Sequence, residues 1–412
     1  MSRRAIRLGT AMLTTTLALA ACTDAGEREA PKPVALRVGL LFTTGGQGGE
    51  LAGAVLGAAS LAVEEAKKSG VEIEITEADY AGNTAAVAGA VRELTTGSDA
   101  IVVGTDDGEI VDALAGATVP MLHPFITADD AVASDASTFR FAPTNRLQAE
   151  RIVSFLVGHR KYTRIAILAD DTSFGAEGLA DLRTAFGSAG VAPIVTETFT
   201  PGGDVHTPVS LIAQRNVQAA ILWVASPSEA SRIVVDIHRS NFAYQIVLSG
   251  NLAGATFAKN ASSQVAPVAY RDGILSVGVW AGPWFPLQRI VGFYREFRTQ
   301  NSSIPPVQAA AVYDAILALA RAARTNGTGG EQLVRGLESL EDFEGAGAPV
   351  TFGPGKHNGI DLDDLAMLGF TKSQSAPGGE FAPDVTTGGG FFSVVHESLD
   401  LPAKYAYLTN VS

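Results

Sequence analysis

The chemically richest residues of this sequence stand in short polar runs, each directly after an apolar one. They are Thr43-Thr44-Gly45-Gly46, Thr105-Asp106-Asp107-Gly108, Thr127-Ala128-Asp129-Asp130, Asp170-Asp171-Thr172-Ser173-Phe174-Gly175, Ala225-Ser226 and Ser249-Gly250-Asn251. Hydroxyls, carboxamides and main-chain amides hold a small molecule by hydrogen bonding, a carboxylate attracts a donor or cation, and a ring stacks on it. This is the chemistry of non-covalent capture. Covalent chemistry has no comparable support. The chain contains no Walker phosphate loop and no Gly-x-Ser-x-Gly elbow, and Gly45-Gly46-Gln47-Gly48-Gly49 lacks the spacing of a dinucleotide fingerprint. Asp170 and Asp171 are neighbouring acids, but such pairs in loops are usually solvated or capping. His123, His159, His206, His238, His357 and His396 are scattered without an i, i+4 pair. No catalysis, no cofactor and no metal site is expected.

Each polar run also has a plain structural reading. Asp106 can cap the following helix with Glu109 completing a capping box, which leaves Asp107 to face a cleft. Thr127 fits an N-cap, a place that also turns backbone amides toward a ligand. Thr44 is either cleft-lining or a turn residue, Ser226 either a pocket residue or an N-cap, and Asn251 is open between site and scaffold. Phe174 is read as ligand-facing, since a ring in a polar loop otherwise has no reason to be there. Trp223, inside an apolar strand, is read as core. The candidate ligand-binding set is therefore Thr44, Asp107, Thr127, Phe174, Ser226 and Asn251.

These residues need elements that bring them together. Val38–Phe42 reads as a buried strand, and after the Gly-rich turn Leu51, Val55, Ala58, Ala59, Ala62, Val63 and Ala66 form one helical stripe. Glu64 and Lys68 support that helix, and Gly70 ends it. Strand, turn and helix make the first half of a βαβ unit, whose ligand sits beyond the carboxyl ends of the strands. The rhythm continues with strands at 71–78, 100–104, 119–125 and 138–142 and helices at 85–94, up to 114, and 147–157. A second round has strands at 164–169, 192–198, 219–224, 245–248 and 273–280. Its helices fall at 176–189, 208–216 and 228–240. Two rounds of about 120 residues each predict two similar α/β lobes with parallel, doubly covered sheets.

Three further helices are expected at 286–299, 307–324 and 331–340, and a short strand at 349–352. A Gly-rich loop follows at 373–390, and Phe391–Val395 and Tyr405–Leu408 read as added strands or arms. The 412 residues suffice for two sizeable domains. The net charge of −13, with no Lys/Arg cluster, excludes a nucleic-acid partner.

The N-terminus carries Arg3, Arg4 and Arg7, then an apolar run from Leu8 to Ala21 that is too short to span a bilayer. It ends Leu19-Ala20-Ala21-Cys22, and Cys22 is the sole cysteine. The pattern resembles a bacterial lipoprotein signal, which implies lipidation at Cys22 and an extracytoplasmic, membrane-anchored product. Removing the leader makes the charge three units more negative. Thr23–Pro33 reads as a flexible tether, with the segment 22–35 linking anchor to body.

The chain as a whole resembles type I periplasmic binding proteins of ABC importers, in the leucine/isoleucine/valine-binding branch. The resemblance runs from Leu36 to Lys372. It rests on Gly39-Leu40-Leu41-Phe42-Thr43-Thr44-Gly45, the helix end Ala59–Ala66, Phe139-Arg140-Phe141-Ala142-Pro143-Thr144-Asn145 and Ala169–Gly175. Ala310-Val312-Tyr313-Asp314-Ala315 and Pro349-Val350-Thr351-Phe352 complete it. It implies two Rossmann-like lobes, 36–142 with 281–347 and 143–280 with 348–372, followed by a C-terminal extension over 373–412. Three hinge crossovers would lie near 142–146, 277–283 and 346–350, and the lobes would close on a small-molecule ligand for an ABC permease. Trp280 and Trp284, flanking Gly282-Pro283, are read as packing at the second crossover.

The sequence departs from the family pattern at the expected site. Asp106-Asp107 stands where the family tends to have Ser-Ser, Phe174 where it has a hydroxylated ring, and Asn251 at its acidic position. An acidic pair in the first lobe favours a ligand with a hydroxyl, amide or cationic group on that side. A clamshell sensor that signals to a partner protein, or a cell-envelope interaction protein with a silent cleft, are the alternatives to transport.

Overall fold

The computed structural model describes residues 32–105, 107, 110–114, 117–129, 136–239, 244–252, 257, 274–279, 287–303, 305–347, 349–371 and 391–394. The leader with Cys22, most of the tether, Asp106, Glu109, Asp130, Trp280, Trp284, the loop 373–390 and Tyr405–Leu408 lie outside the described residues.

β1 (Val34–Phe42) is half-exposed at its start and buried without interruption from Val38 to Phe42. A strand buried on both faces belongs in the middle of a parallel sheet. There it pairs in parallel with β2 (Val71–Asp79) on one side and β3 (Ala100–Gly104) on the other. β4 (Met121–His123) and β5 (Thr138–Arg140) continue the sheet in the order β2-β1-β3-β4-β5. β4 is shorter than the sequence suggests because Pro120 and Pro124 flank it and neither has an N–H to donate to a ladder. A 3-10 turn, Gln47–Leu51, leads into α1 (Ala52–Lys68). α2 (Thr84–Gly97) and the short α3 (Val111–Leu114) complete the first pass through this lobe.

The second sheet is built by β6 (Ile165–Asp170), β7 (Val195–Phe199), β8 (Ala219–Trp223), β9 (Gln245–Leu248) and β10 (Ile274–Val279). Their parallel order is β7-β6-β8-β9-β10, so the second lobe repeats the first lobe's winding strand for strand. α4 (Asn145–Val153), which runs on as one turn of π-helix to His159, packs on α5 (Ser173–Ser188). α6 (His206–Gln214) and α7 (Pro227–Arg239) connect the later strands. The sheet is extended antiparallel by β11 (Leu365–Thr371) and β12 (Phe391–Val394).

The chain returns to the first lobe with α8 (Leu287–Asn301), α9 (Val307–Asn326) and α10 (Gly330–Glu338). α8 packs on α1. α9 lies against α1, β1 and β3, and α10 against α9. α9 is apolar nearly all round up to Ala320, and its Ala309, Val312, Ile316 and Leu319 are fully buried, while Arg321 and Arg324 reach solvent in its last turns.

Three passages join the lobes. The first, between β5 and α4, is capped by Thr144, whose hydroxyl accepts from the Leu147 N–H at 3.2 Å. The second leaves β10, and 280–286 lie outside the described residues. The third is expected near 346–350. There Val350 pairs with Phe343, and Asn358 still bridges Arg140 at the edge of the first sheet. The chain joins the second sheet only at Leu365.

Candidate functional site

In a sheet of order β2-β1-β3-β4-β5 the connections leave in opposite directions from β1 and β3, opening a crevice at their carboxyl ends. The second sheet has the same switch between β6 and β8. Every candidate residue described lies just beyond a carboxyl end: Thr44 after β1, Asp107 after β3, Thr127 after β4, Phe174 after β6, Ser226 after β8 and Asn251 after β9.

In the first lobe the turn after β1 is fixed by its neighbours. The Thr43 hydroxyl donates to Gly45 O at 2.8 Å and accepts from the Gly82 N–H at 2.7 Å. A Cβ on Gly45 would lie 2.4 Å from Ala81 O, so only glycine allows this approach. Thr44 donates its N–H to Asp79 Oδ1 at 2.9 Å and its hydroxyl to Asp79 Oδ2 at 2.6 Å. That hydroxyl bond, more than any other contact, holds the Asp79 carboxyl below its ordinary range. The single hydroxyl proton of Thr44 is thereby committed, and the oxygen offers acceptor capacity alone. Asp107, half-buried, accepts from the Tyr80 hydroxyl at 3.3 Å, and its N–H donates to Thr105 Oγ1 at 3.3 Å. Thr127 is half-buried, and its carbonyl accepts from the Asn145 N–H at 2.9 Å, tying the β4 end to the first residue of α4.

In the second lobe the organising group is Asp170, which is almost fully buried. It accepts from the Ala225 N–H at 2.7 Å and from the Thr172 hydroxyl at 2.5 Å, and so joins the ends of β6 and β8 across the switch point. Burial pushes its carboxyl upward, and these two hydrogen bonds offset part of that rise. Thr172 in turn caps α5, accepting from the Gly175 N–H at 3.2 Å. Phe174 is therefore on the first turn of a helix, not in an open loop. It has a packing partner there, stacking on Trp223 with centroids 5.9 Å apart. Trp223 itself is fully buried.

Ser226 acts as a cap, its hydroxyl oxygen accepting from the Glu229 N–H at 3.4 Å. Asn251 donates both amide protons, to Val224 O at 3.0 Å and Ala225 O at 2.9 Å, and accepts from the Ser249 hydroxyl at 2.7 Å. Its carbonyl accepts from Gln308 Nε2 of α9 at 3.4 Å, and the neighbouring Gly250 N–H donates to Gln148 Oε1 of α4 at 2.8 Å. This residue braces two strand ends and meets a first-lobe helix. Asp79, Tyr80, Gln148 and Gln308 support the site without having been singled out in the sequence; Asp170, read there as a solvated or capping acid, is instead buried and joins two strand ends. The only sequence cue for Asp79 and Tyr80 is their position at a strand end.

Among the described residues no group of three His, Cys, Asp or Glu side chains is arranged to hold a metal ion. Among them, too, no helix is long and apolar enough to cross a membrane.

A family model described as periplasmic binding protein matches residues 35–364. No curated protein matches the sequence. The structure is similar to a type 1 periplasmic binding protein from Bordetella pertussis Tohama I at 17% identity, covering 88% of this chain and 100% of that one with a TM-score of 0.71. It is also similar to LivJ of Streptococcus pneumoniae, a branched-chain amino acid transporter substrate-binding protein solved with isoleucine. That match has 18% identity, 88% and 100% coverage and a TM-score of 0.69. The leucine-binding protein LivK of Thermotoga maritima matches at 14% identity, 88% and 100% coverage and a TM-score of 0.67. With its twice-repeated winding and a family match over most of its length, this chain belongs to the periplasmic binding protein family.

Proposed function

We propose that the chain captures a small polar organic solute between its two lobes outside the cytoplasm, is held to the membrane through a lipid on Cys22, and delivers the solute to an ABC-type permease. The observation that carries this reading is the pairing of two switch-point crevices of identical winding, each lined by polar loop residues. The neighbours LivJ, solved with isoleucine, and LivK, a leucine-binding protein, support a small ligand of amino-acid size.

The donor and acceptor inventory refines the ligand. The first-lobe side offers the Asp107 carboxylate and a Thr44 oxygen whose proton is spent on Asp79. Both call for a donor on the ligand: a hydroxyl, an amide N–H or a cation. In the second lobe Ser226 can donate, and Phe174 offers an apolar face. No residue takes a catalytic role in this reading.

The test is a thermal-shift screen of the chain from Thr23 against amino acids, amides, polyamines, sugars and aromatic acids. A ligand present at 100 times its dissociation constant adds about 2.7 kcal/mol to stability. Asp107→Ala should weaken the binder by about tenfold or more, the value of a lost charge-assisted hydrogen bond. No shift with any class would refute capture. A shift that Asp107→Ala leaves unchanged would refute the role of Asp107.

A further inference from the structure

The two lobes differ in charge at the pole opposite the crevice, where the parallel strands begin and the helices between them end. In the first lobe bases at this pole are neutralised: Arg37 Nη2 is 2.7 Å from Asp99 Oδ1, and Lys68 Nζ is 2.7 Å from Glu65 Oε2. In the second lobe they are not. Arg160 caps the π-turn that ends α4, Lys161 and Arg164 lead into β6, Arg215 caps the end of α6, and Arg239 ends α7. Lys161, Arg164, Arg215 and Arg239 are exposed, and among the described residues none of these four forms an ion pair. Two acids of α7 are already engaged, Asp236 by His206 at 3.1 Å and Glu229 by Arg232 at 2.5 Å. The fold thus gathers bases from three separate segments of a chain whose net charge is −13.

Hydrogen bonds hold this pole together. The Thr163 and Arg164 N–H groups both donate to Gln218 Oε1 at 3.0 Å, and the Gln218 N–H donates to Arg164 O at 2.7 Å. Arg164 Nε donates to Asn216 O at 2.8 Å, which sets its guanidinium beside Arg215. The Ile194 N–H donates to Ile165 O at 2.9 Å, so Ile194 stands at the edge of the basic patch. Its side chain is 42% exposed, and the stretch from Ser188 to Ile194 carries no charge. Cations at helix C-termini complement the helix dipole, which accounts for Arg160, Arg215 and Arg239 without any partner. It does not account for Lys161, Arg164 or the isoleucine. Lys161 also holds a left-handed backbone at φ 57°, a conformation that glycine adopts at less cost.

We propose that this pole of the second lobe is a membrane-contact surface that takes anionic lipid headgroups. Each base held against an anionic bilayer strengthens binding by about fivefold. A soluble polyanion would be served by the bases alone. The exposed isoleucine beside them selects an occupant that offers negative charge and an apolar phase together, as the headgroup layer of a bilayer does. The proposal takes from the function proposed above only that the chain lies beside a membrane, and it needs no ligand in the crevice. Contact through this pole leaves the carboxyl ends of β6, β8 and β9, with Phe174, Ser226 and Asn251, at the far side of the lobe from the lipid.

The test is cosedimentation of the chain from Thr23, which carries no lipid of its own, with vesicles. One set contains phosphatidylglycerol and phosphatidylcholine in equal parts, the other phosphatidylcholine alone. The chain should bind the anionic set, and binding should weaken as salt is raised from about 0.05 M to about 0.5 M. Arg215→Ala and Lys161→Gly should each lower the partition coefficient by about fivefold. Lys161→Gly should do so without lowering the melting temperature, because the glycine relieves the left-handed backbone, and this separates lost contact from lost folding. Ile194→Ser should also weaken binding severalfold. Equal binding to both vesicle sets, or binding to neither, would overturn the proposal, as would unchanged binding in Lys161→Gly and Arg215→Ala. Strong retention on heparin together with unchanged vesicle binding in Ile194→Ser would show a general polyanion surface and overturn the membrane as its occupant.

Discussion

Gly178 and Gly89 make a paired test of the packing beneath the candidate site. Both are helical, yet replacement by alanine should move stability in opposite directions. At Gly178, on α5, a Cβ would lie 1.9 Å from Trp223 Nε1, 2.1 Å from Cε2 and 2.4 Å from Cδ1. Carbon contacts are comfortable at about 3.5 Å or more, so the indole would have to retreat by about 1.5 Å. Trp223 is fully buried at the end of β8 and has nowhere to go. Overpacking of this kind costs about 1–3 kcal/mol or more, and alanine's better helix propensity returns about 1 kcal/mol. With a 1.9 Å approach the cost falls at the upper end, and a net loss of about 2 kcal/mol follows. Gly89 is exposed in α2 and its nearest neighbour is Arg92 Nη2 at 3.9 Å, so Gly89→Ala should gain up to about 1 kcal/mol. Urea denaturation followed by far-UV circular dichroism reads both. If the lobes unfold separately, Gly178→Ala should shift the second lobe's transition and Gly89→Ala the first's. A Gly178→Ala variant as stable as the original chain would refute the close contact of α5 with Trp223, and with it the account of what seats Phe174.

Two further substitutions and conditions test the supporting bonds. Asn251→Asp keeps the shape but removes both donors to Val224 O and Ala225 O, and should destabilise the second lobe by about 2 kcal/mol in the same assay; an unchanged midpoint would show that these carbonyls find other partners. The Asp79 anchor of Thr44 has a sign fixed by its lowered carboxyl. Its contribution is present above the ordinary value of 3.8 and is lost only as the pH falls through the lower folded value. Exchange of the Thr44 and Ala81 amides, once corrected for intrinsic rate, should therefore stay constant from neutral pH down to the ordinary value and rise beneath it. A rise near pH 6 would contradict the assignment.

Much of the scaffold can be read from local pattern. β3 and β9 are short apolar runs bounded by turn residues, and the structure reproduces them residue for residue. α9 is legible because an Ala-rich stretch without a polar stripe must be buried. β11 is not legible. Leu365–Thr371 follows Asp361, Asp363 and Asp364 as one more short apolar run, and its antiparallel partner β12 comes after a long Gly-rich interval. Pairing across such a distance leaves no periodic trace in either strand. The position of the site is legible for a general reason: in a doubly wound sheet the carboxyl ends of the strands are where loops converge. What those loop residues do depends on register. That Thr44 meets Asp79 follows from the pairing of Phe42 with Asp79. That Asn251 spends its amide on the two residues just after β8 follows from where β9 ends relative to its neighbour. Neither relation can be extracted from one segment taken alone.

The first lobe is assembled from two distant stretches of chain, and this constrains how the protein can be made. Its sheet is complete at Arg140, but the helix that seals α1, β1 and β3 begins only at Val307. During synthesis and export the parallel core of the other lobe emerges in between, so α1 waits with an apolar flank uncovered until the late helices arrive. Such a chain gains from crossing the membrane unfolded and from a holding chaperone before it does so. For the same reason neither half can be cut out as a single contiguous gene segment: exchanging a lobe with a relative means moving two separate pieces together.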